Sequence, residues 1–309
     1  MKVLVTGATG FFGSAIVQGL RAVGHDVEGA ARRPDGVHAA IMLDITDAGA
    51  CRRVMEAGRY EAVVHSAALA HVRPGKVDAA QCLAVNADGA DNVASSASAS
   101  DVRQHVFISS AMVYGDFALP DVVTEKSPRL ATGIYGRAKI AAEDASLRHA
   151  GAMNVTVLRM ASMYAPDWLL NVRKRVASPV LGRWFHFSLD PDTPRYSLCS
   201  RASGVETVLR ALQGQLPAST YNVADEHVYT QHEIHEAVIR IEGARLSLPI
   251  PIWLPRAMLK LADAILRDPE SAHSRYWKFC ERNVYSSAAL ASTGSSLPAD
   301  LLAFGRAHA

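Results

Sequence analysis

The stretch "KVLVTGATGFFG", residues 2–13, constrains the fold more than any other part of the chain. A short apolar, β-branched run ends at Gly7, and Gly10 and Gly13 follow at three-residue spacing. A helical pattern over residues 12–23 comes directly after. In such a strand–turn–helix the first glycine permits the tight turn. The second lets a pyrophosphate approach the backbone, and the third lets helix and strand close on each other. Phosphates placed there face the positive end of the helix dipole.

The alternation continues. Strand-like runs occupy residues 26–31, 41–45, 61–67, 105–110 and 155–160, with helical patterns between them, as at 86–99 and 136–149. Parallel strands need long crossovers, and the crossovers cover both faces of the sheet. The pattern predicts an α/β fold, a Rossmann-type doubly wound parallel sheet. After about residue 165 the rhythm breaks into a segment rich in Pro and aromatic residues around "GRWFHFSLDPDTP", and "TYNVAD" (220–225) returns to the earlier style. The expected division is a dinucleotide-binding domain at 1–165 plus about 197–225. A smaller, discontinuous C-terminal substrate-binding domain takes 166–196 and 226–309.

Which dinucleotide binds should be decided at the end of the second strand. A carboxylate there holds the 2′-hydroxyl of NAD, whereas arginine accommodates the 2′-phosphate of NADP. The chain has Ala31 at that place, followed by Arg32 and Arg33. NADP(H) is favoured, with NAD(H) left open. Asp44, closing "IMLDI", is a candidate acceptor for the adenine amino group.

"IYGRAKIAAE" sets Tyr135 and Lys139 four residues apart, so they share one face of a helix. A free phenol titrates near 10, and a neighbouring ammonium favours its ionised form. The pair is therefore expected to give a tyrosine lowered toward neutral pH, usable as a general acid or base. Upstream, "VFISSAMVYG" brings Ser109 and Ser110 to the C-terminal end of a strand, where doubly wound sheets bind ligands. Ser110 would donate to the same substrate oxygen.

These residues carry a resemblance. "TGATGFFG", "VVHSAA", "VNADGADN", "SSAMVYG" and "YGRAK" occur in order, and on them the chain is identified as similar to extended short-chain dehydrogenases/reductases of the NAD-dependent epimerase/dehydratase group. The resemblance implies Ser110, Tyr135 and Lys139 as catalytic residues. It places the backbone of Phe11 and Phe12 at the pyrophosphate, Asp44 and Ile45 beside the adenine, and Ala67 and Ala68 at the middle of the cofactor. Asn86 falls by the nicotinamide-side loop, Ser109 is a further cofactor-binding residue, and Lys139 holds the nicotinamide ribose. "AALAHV" and "LPIPIWLPRAML" are most similar to nucleotide-sugar 4-epimerases and 4-ketoreductases. In that group an arginine at the place of Arg195 grips a diphosphate, with Arg275, or else Arg282, as its partner; guanidinium suits that role. Three departures bear on the substrate pocket: Met160 stands for a proline, Ser162 for an asparagine that touches the sugar nucleotide, and Arg201 for an aspartate. The resemblance also implies a homodimer through helices 86–99 and 136–149.

Other features exclude more than they suggest. A formal charge of +2 provides no field to recruit nucleic acid or an anionic membrane. Cys51, Cys82, Cys199 and Cys280 lie far apart without metal or disulfide spacing, and "QHEIHEAV" lacks the spacing of a zinc helix, so no metal is expected. Thr230 and Glu233 read instead as a capping box. His65 and His71 flank the fourth strand's end, and Trp168, Trp184, Phe185 and Phe187 read as packing of the smaller domain. No signal peptide is visible, and "SLPIPIWLPRAMLKLADAIL" is too broken to span a bilayer, which suggests the cytoplasm. The expected function is hydride transfer at C4 of a nucleotide-activated sugar, as a 4-keto reductase or a 4-epimerase. The alternatives are a dehydrogenase of an apolar ketone or hydroxysteroid-type substrate, and a regulator that senses NADP without turnover.

Overall fold

A computed structural model describes residues 1–70, 78–115, 119–131, 133–180, 183–188, 194–243, 247–249, 251, 253–254, 257, 283–298 and 300–307. For residues 178–180, 183–188, 247–249 and 300 it describes the backbone alone. The chain forms two compact units. The first contains 1–115, 128–160 and 204–222, and the second contains 116–127, 161–203 and 223–309.

The first unit is built on a seven-stranded sheet. Its strands are β1 (Lys2–Thr6), β2 (Asp26–Ala31), β3 (Ile41–Met42), β4 (Ala62–His65), β5 (Gln104–Ser110), β6 (Asn154–Met160) and β11 (Thr220–Val223), in the order β11-β6-β5-β4-β1-β2-β3. Strand β1 pairs in parallel with β2 on one side and β4 on the other, so the order reverses at β1. A crevice outside the strands' C-terminal ends is where such sheets bind ligands. The strands are apolar without alternation because both faces are covered: Val3, Leu4, Val5, Val63 and Val64 are wholly buried.

The covering helices are α1 (Phe11–Ala22), α2 (Ala48–Gly58), the short α3 (Ala79–Leu83), α4 (Gly89–Ala99), α5 (Ile134–Leu147) and α7 (Arg201–Leu212), whose first residues lie in the second unit. Residues 86–99 are not one helix, since a π turn at Ala84–Asp88 precedes α4. The strand expected over 41–45 stops at Met42 because Asp44 turns the chain, accepting hydrogen bonds from the Thr46 N–H at 3.0 Å and the Thr46 hydroxyl at 2.8 Å. Asp47 then caps α2 through the Ala50 N–H at 2.9 Å.

The second unit holds two small sheets. One orders β12 (Val228–Thr230), β10 (Arg195–Ser200) and β7 (Ser162–Tyr164); the other orders β13 (Ser247–Pro249), β9 (Arg183–Ser188) and β8 (Ala177–Val180). Around them lie α6 (Leu170–Arg173), α8 (Gln231–Glu242), α9 (Ala288–Ala291) and α10 (Asp300–Ala307). The capping box at the start of α8 is present: Thr230 Oγ1 accepts from the Glu233 N–H at 3.1 Å, and Glu233 Oε2 accepts from the Thr230 N–H at 2.7 Å. Buried Tyr164 and Tyr229 both donate to Asp225 Oδ2, at 2.6 and 2.8 Å, which satisfies their hydroxyls inside an apolar core with Leu198, Ile234 and Leu301. Among the described residues no helix is long and apolar enough to cross a membrane.

Candidate active site

Gly7 takes φ +68°, and a Cβ there would lie 2.6 Å from Ala67 Cα, so only glycine lets the turn close on the end of β4. The Gly10 N–H donates to the Gly7 carbonyl at 2.9 Å. No side chain caps α1 at Gly10 and no acid stands in its first turn, which leaves the positive end of the dipole to an anion. Phe11 and Gly13 lie in that first turn, with Gly13 packed on the Gly7 carbonyl. The ring of Phe12 is buried, 3.0 Å from where a Cβ of Gly204 would be. This cradle fits a dinucleotide pyrophosphate.

The flanking residues are placed as follows. Ala67 and Ala68 are half-buried just beyond β4. Asn86, buried on the π turn, accepts from the Leu69 N–H at 2.6 Å and donates to the Leu69 carbonyl at 3.1 Å. Its amide is thus committed to holding the loop after β4. Ile45 is buried against the bare Cα of Gly89. Asp44 is exposed, and its carboxyl is lowered by the Thr46 hydrogen bonds, with the charge of Arg32 helping. Arg32 is exposed at the end of β2. The loop that follows is tied down: Asp35 Oδ1 accepts the N–H groups of Val37, His38 and Ala39, and Arg21 holds the Val37 carbonyl at 2.8 Å.

Tyr135 and Lys139 lie on α5, a helix whose inward face is made of small residues. Gly136 allows the close fit, for a Cβ there would stand 2.6 Å from the Met112 carbonyl, in the turn following Ser110. Tyr135 consequently faces Ser110, whose hydroxyl is near enough to favour the phenolate. Ser110 Oγ also accepts the Met112 N–H at 3.2 Å.

The expected lowering of Tyr135 is not what the structure gives. Burial pushes this phenol up to about 12, opposed by the Ser110 hydroxyl. Burial outweighs what the helix spacing suggests, and the Lys139 Nζ is engaged elsewhere, donating to the Ile108 carbonyl at 2.8 Å and sitting 4.8 Å above the Phe107 ring. Burial brings Lys139 down to about 8, opposed by the Glu143 carboxylate and by Cys82. Tyr135 therefore holds its proton at neutral pH.

Glu143 continues the four-residue stripe of Tyr135 and Lys139, and that spacing was the signal by which it could have been singled out. It is wholly buried and accepts from Arg159 Nη2 at 2.7 Å and Nε at 3.0 Å, from Arg129 Nη1 at 3.2 Å and from the Ser109 hydroxyl at 2.5 Å. Ser109 is thus turned inward onto this network. Arg159 Nη1 donates to Tyr114 Oη at 2.9 Å, and Tyr114 donates to Asn222 at 2.6 Å. The network locks α5 to β5 and β6 beside the helix turn that carries Tyr135 and Lys139. At the end of β4, His65 Nδ1 bonds Thr6 Oγ1 at 2.7 Å, and burial lowers His65 well below the usual histidine range, so the ring is neutral.

In the second unit Ser162 starts β7, and Arg195 heads β10 and is exposed. Ser162 is joined by a residue that sequence reading passed over, Arg175, whose Nη2 donates to Ser162 Oγ at 2.7 Å. Arg201 pairs with Asp167 at 2.8 Å. Met160 is buried at the end of β6 against Gly204. Trp168 is half-buried. Arg275, Arg282, His71 and Cys280, and the side chains of Trp184, Phe185 and Phe187, lie outside the described residues. Cys51, Cys82 and Cys199 are buried, and among the described residues none is in a disulfide. On α8, His232, His235 and Glu236 bring ligand atoms within 4.8 Å of one another, although Glu236 also accepts from Arg240 at 3.1 Å.

The profile of the NAD dependent epimerase/dehydratase family matches residues 3–185. A UDP-glucose 4-epimerase of Vibrio cholerae is 28% identical over 84% of this chain and 82% of its own length. A dTDP-4-dehydrorhamnose reductase of Mycolicibacterium smegmatis is 31% identical, over 57% of this chain and 51% of its own. Among solved structures, the Bordetella bronchiseptica enzyme WbmG in complex with NAD and UDP superposes with a TM-score of 0.73 at 21% identity, covering 99% of this chain and 93% of that one. A likeness at that identity speaks for the fold.

Proposed function

The chain belongs to the NAD dependent epimerase/dehydratase family of enzymes, and on that premise we propose that it transfers hydride at C4 of a nucleotide-activated sugar. The observation that carries this reading is the juxtaposition of Ser110 and Tyr135, with Lys139 one turn along α5, at the C-terminal end of β5. When bound, the nicotinamide cofactor supplies or takes the hydride. Tyr135 exchanges the proton at the C4 oxygen, Ser110 orients that oxygen, and Lys139 stands behind them as a buried cation below pH about 8.

A phenol pushed up to about 12 keeps its proton and is set to give it to a ketone oxygen, which is the proton demand of net reduction. Arg32, exposed beyond Ala31 at the end of β2, supports NADP(H) as the favoured cofactor, since no acid stands there to select NAD. Both observations tilt the reading to a 4-keto reductase. The second reading is a 4-epimerase retaining NAD, and the extent of the match to the Vibrio cholerae epimerase supports it.

The test is turnover with NADPH or NADH and a UDP- or dTDP-4-keto sugar, alongside UDP-glucose. Oxidation of NADPH in step with formation of the reduced sugar is expected, and it should vanish in Tyr135→Phe. Conversion of UDP-glucose to UDP-galactose without net cofactor consumption would instead establish the epimerase. If UDP and dTDP leave the melting temperature unmoved while an apolar alcohol raises it, the nucleotide-sugar reading fails. NADPH binding without any hydride transfer would identify a sensor.

A further inference from the structure

We propose that Arg175 and Ser162 form an oxyanion-binding site in the second unit, which takes a phosphate or carboxylate oxygen of the substrate. The identity of the ligand rests on the nucleotide-sugar reading above; the site itself rests on the guanidinium. Arg175 lies in the turn after α6, where its N–H donates to the Val172 carbonyl at 2.9 Å, and Gln231 Nε2 holds its own carbonyl at 3.3 Å. Its side chain is only 9% exposed. Nη1 donates to the Asn171 carbonyl at 2.7 Å, Nη2 to Ser162 Oγ at 2.7 Å, and the guanidinium lies 5.0 Å above the Tyr196 ring. Nε is buried without an acceptor.

None of these partners is charged. Apart from Ser162 and Asn171, the groups that face the guanidinium are the phenols of Tyr196 and Tyr285, and among the described residues no carboxylate pairs with it. Burial pushes Arg175 down from the usual arginine value, yet arginine keeps its proton in proteins. Among the described residues this buried cation thus has no counter-ion, an expensive state for folding alone. An incoming oxyanion would supply the missing charge. Ser162 is the point of contact: its oxygen already accepts from Arg175, so its own O–H remains a donor, strengthened by the cation behind it, and the residue is half-exposed.

The experiment is a thermal-shift and calorimetric titration of the whole protein with pyrophosphate, UDP, UDP-glucose and UDP-glucuronate, for wild type, Arg175→Met, Arg175→Lys and Ser162→Ala. Wild type should be stabilised by pyrophosphate and UDP, and Arg175→Met should bind them about 10–100-fold more weakly. Arg175→Lys should recover part of the loss, and Ser162→Ala should bind more weakly than wild type while still folding. Without ligand, Arg175→Met should melt no lower than wild type, because an uncompensated charge has been removed. Loss confined to the extra affinity of UDP-glucuronate over UDP-glucose would place a carboxylate at the site instead of a phosphate. Pyrophosphate binding that needs Arg175, with no response to UDP, would keep the site and defeat the nucleotide-sugar reading. The inference is overturned if wild type responds to none of the four, or if Arg175→Met responds as wild type does.

Discussion

Two buried guanidinium groups divide the molecule's electrostatics. In the first unit Arg159 is 5% exposed and is held by Glu143, with Tyr114 as a further partner. In the second, Arg175 is also buried, and among the described residues it meets only a carbonyl, a hydroxyl and aromatic rings. A paired buried ion is stiff, and its whole valence is satisfied by the fold. An unpaired one leaves a demand that the fold does not meet. The difference teaches where positioning and binding reside. On the proposed function, the closed network would position Tyr135 and Lys139 on α5, and the open one would take charge from outside.

The sharpest way to break this division is Tyr135→Phe. Removing a general acid–base group should lower turnover by about 10²–10⁴-fold. UDP affinity, assigned to the second unit, should stay within about twofold by calorimetry. If affinity falls with turnover, the separation of chemistry from anion binding is wrong.

Next in size is Glu143→Gln, which strands Arg159 in the interior. A broken buried pair costs about 3–5 kcal/mol, to be read from urea unfolding. The double variant Glu143→Gln/Arg159→Met should regain most of that loss. Arg175→Met alone should cost nothing in stability, because no charged partner is stranded. Equal costs for the two units would remove the contrast between them.

The same contrast explains what the chain's letters disclosed and what they hid. Gly7, Gly10 and Gly13, the Tyr135–Lys139 spacing and the Thr230–Glu233 box are local, with a geometry that follows from backbone rules over a few residues. The direction of Lys139 is not local: its Nζ is set by the Phe107 ring and by the Ile108 carbonyl, at a sequence separation of 31. The proton affinity of Tyr135, read from its neighbour alone, came out with the wrong sign because burial outweighs what spacing can show. Arg159 and Glu143 are 16 apart, and Tyr114 and Asn222 are 108 apart, so their network had no local signature. Arg175 stands in "NVRKRV" among other basic residues, and only the tertiary fold separates it from its exposed neighbour Lys174. Residues 41–45 read as strand by composition, but the Asp44 turn won over β-propensity.

A smaller effect should appear in the pH dependence. Lys139 is brought down to about 8 by burial, against the Glu143 carboxylate, which raises it. Its folded pKa lies below its unfolded one, so the penalty on stability is present below pH about 8 and is relieved as pH rises toward the free-lysine value. For catalysis the sign is opposite. The cation is lost above pH about 8, and kcat/KM should fall there by up to tenfold per pH unit. Lys139→Arg, which does not titrate in this range, should abolish that limb. Loss of the opposing carboxylate in Glu143→Gln should move it to lower pH. A limb unmoved by either change would assign it to another group.

The smallest expected effect bears on a charge outside both networks. Arg32 is exposed at the end of β2, within the influence of Asp44 but not enclosed by it. A charge-assisted hydrogen bond to a 2′-phosphate is worth about 1.5 kcal/mol at such a site, or about tenfold in binding. Arg32→Ala should therefore raise the KM for NADPH about tenfold and leave that for NADH unchanged. Screening adds a second check, since an exposed contact should weaken with salt while anion binding at the buried Arg175 should weaken much less. If NADH loses as much as NADPH, Arg32 is a turn residue, the case for NADP falls, and the reading moves to an epimerase that keeps NAD.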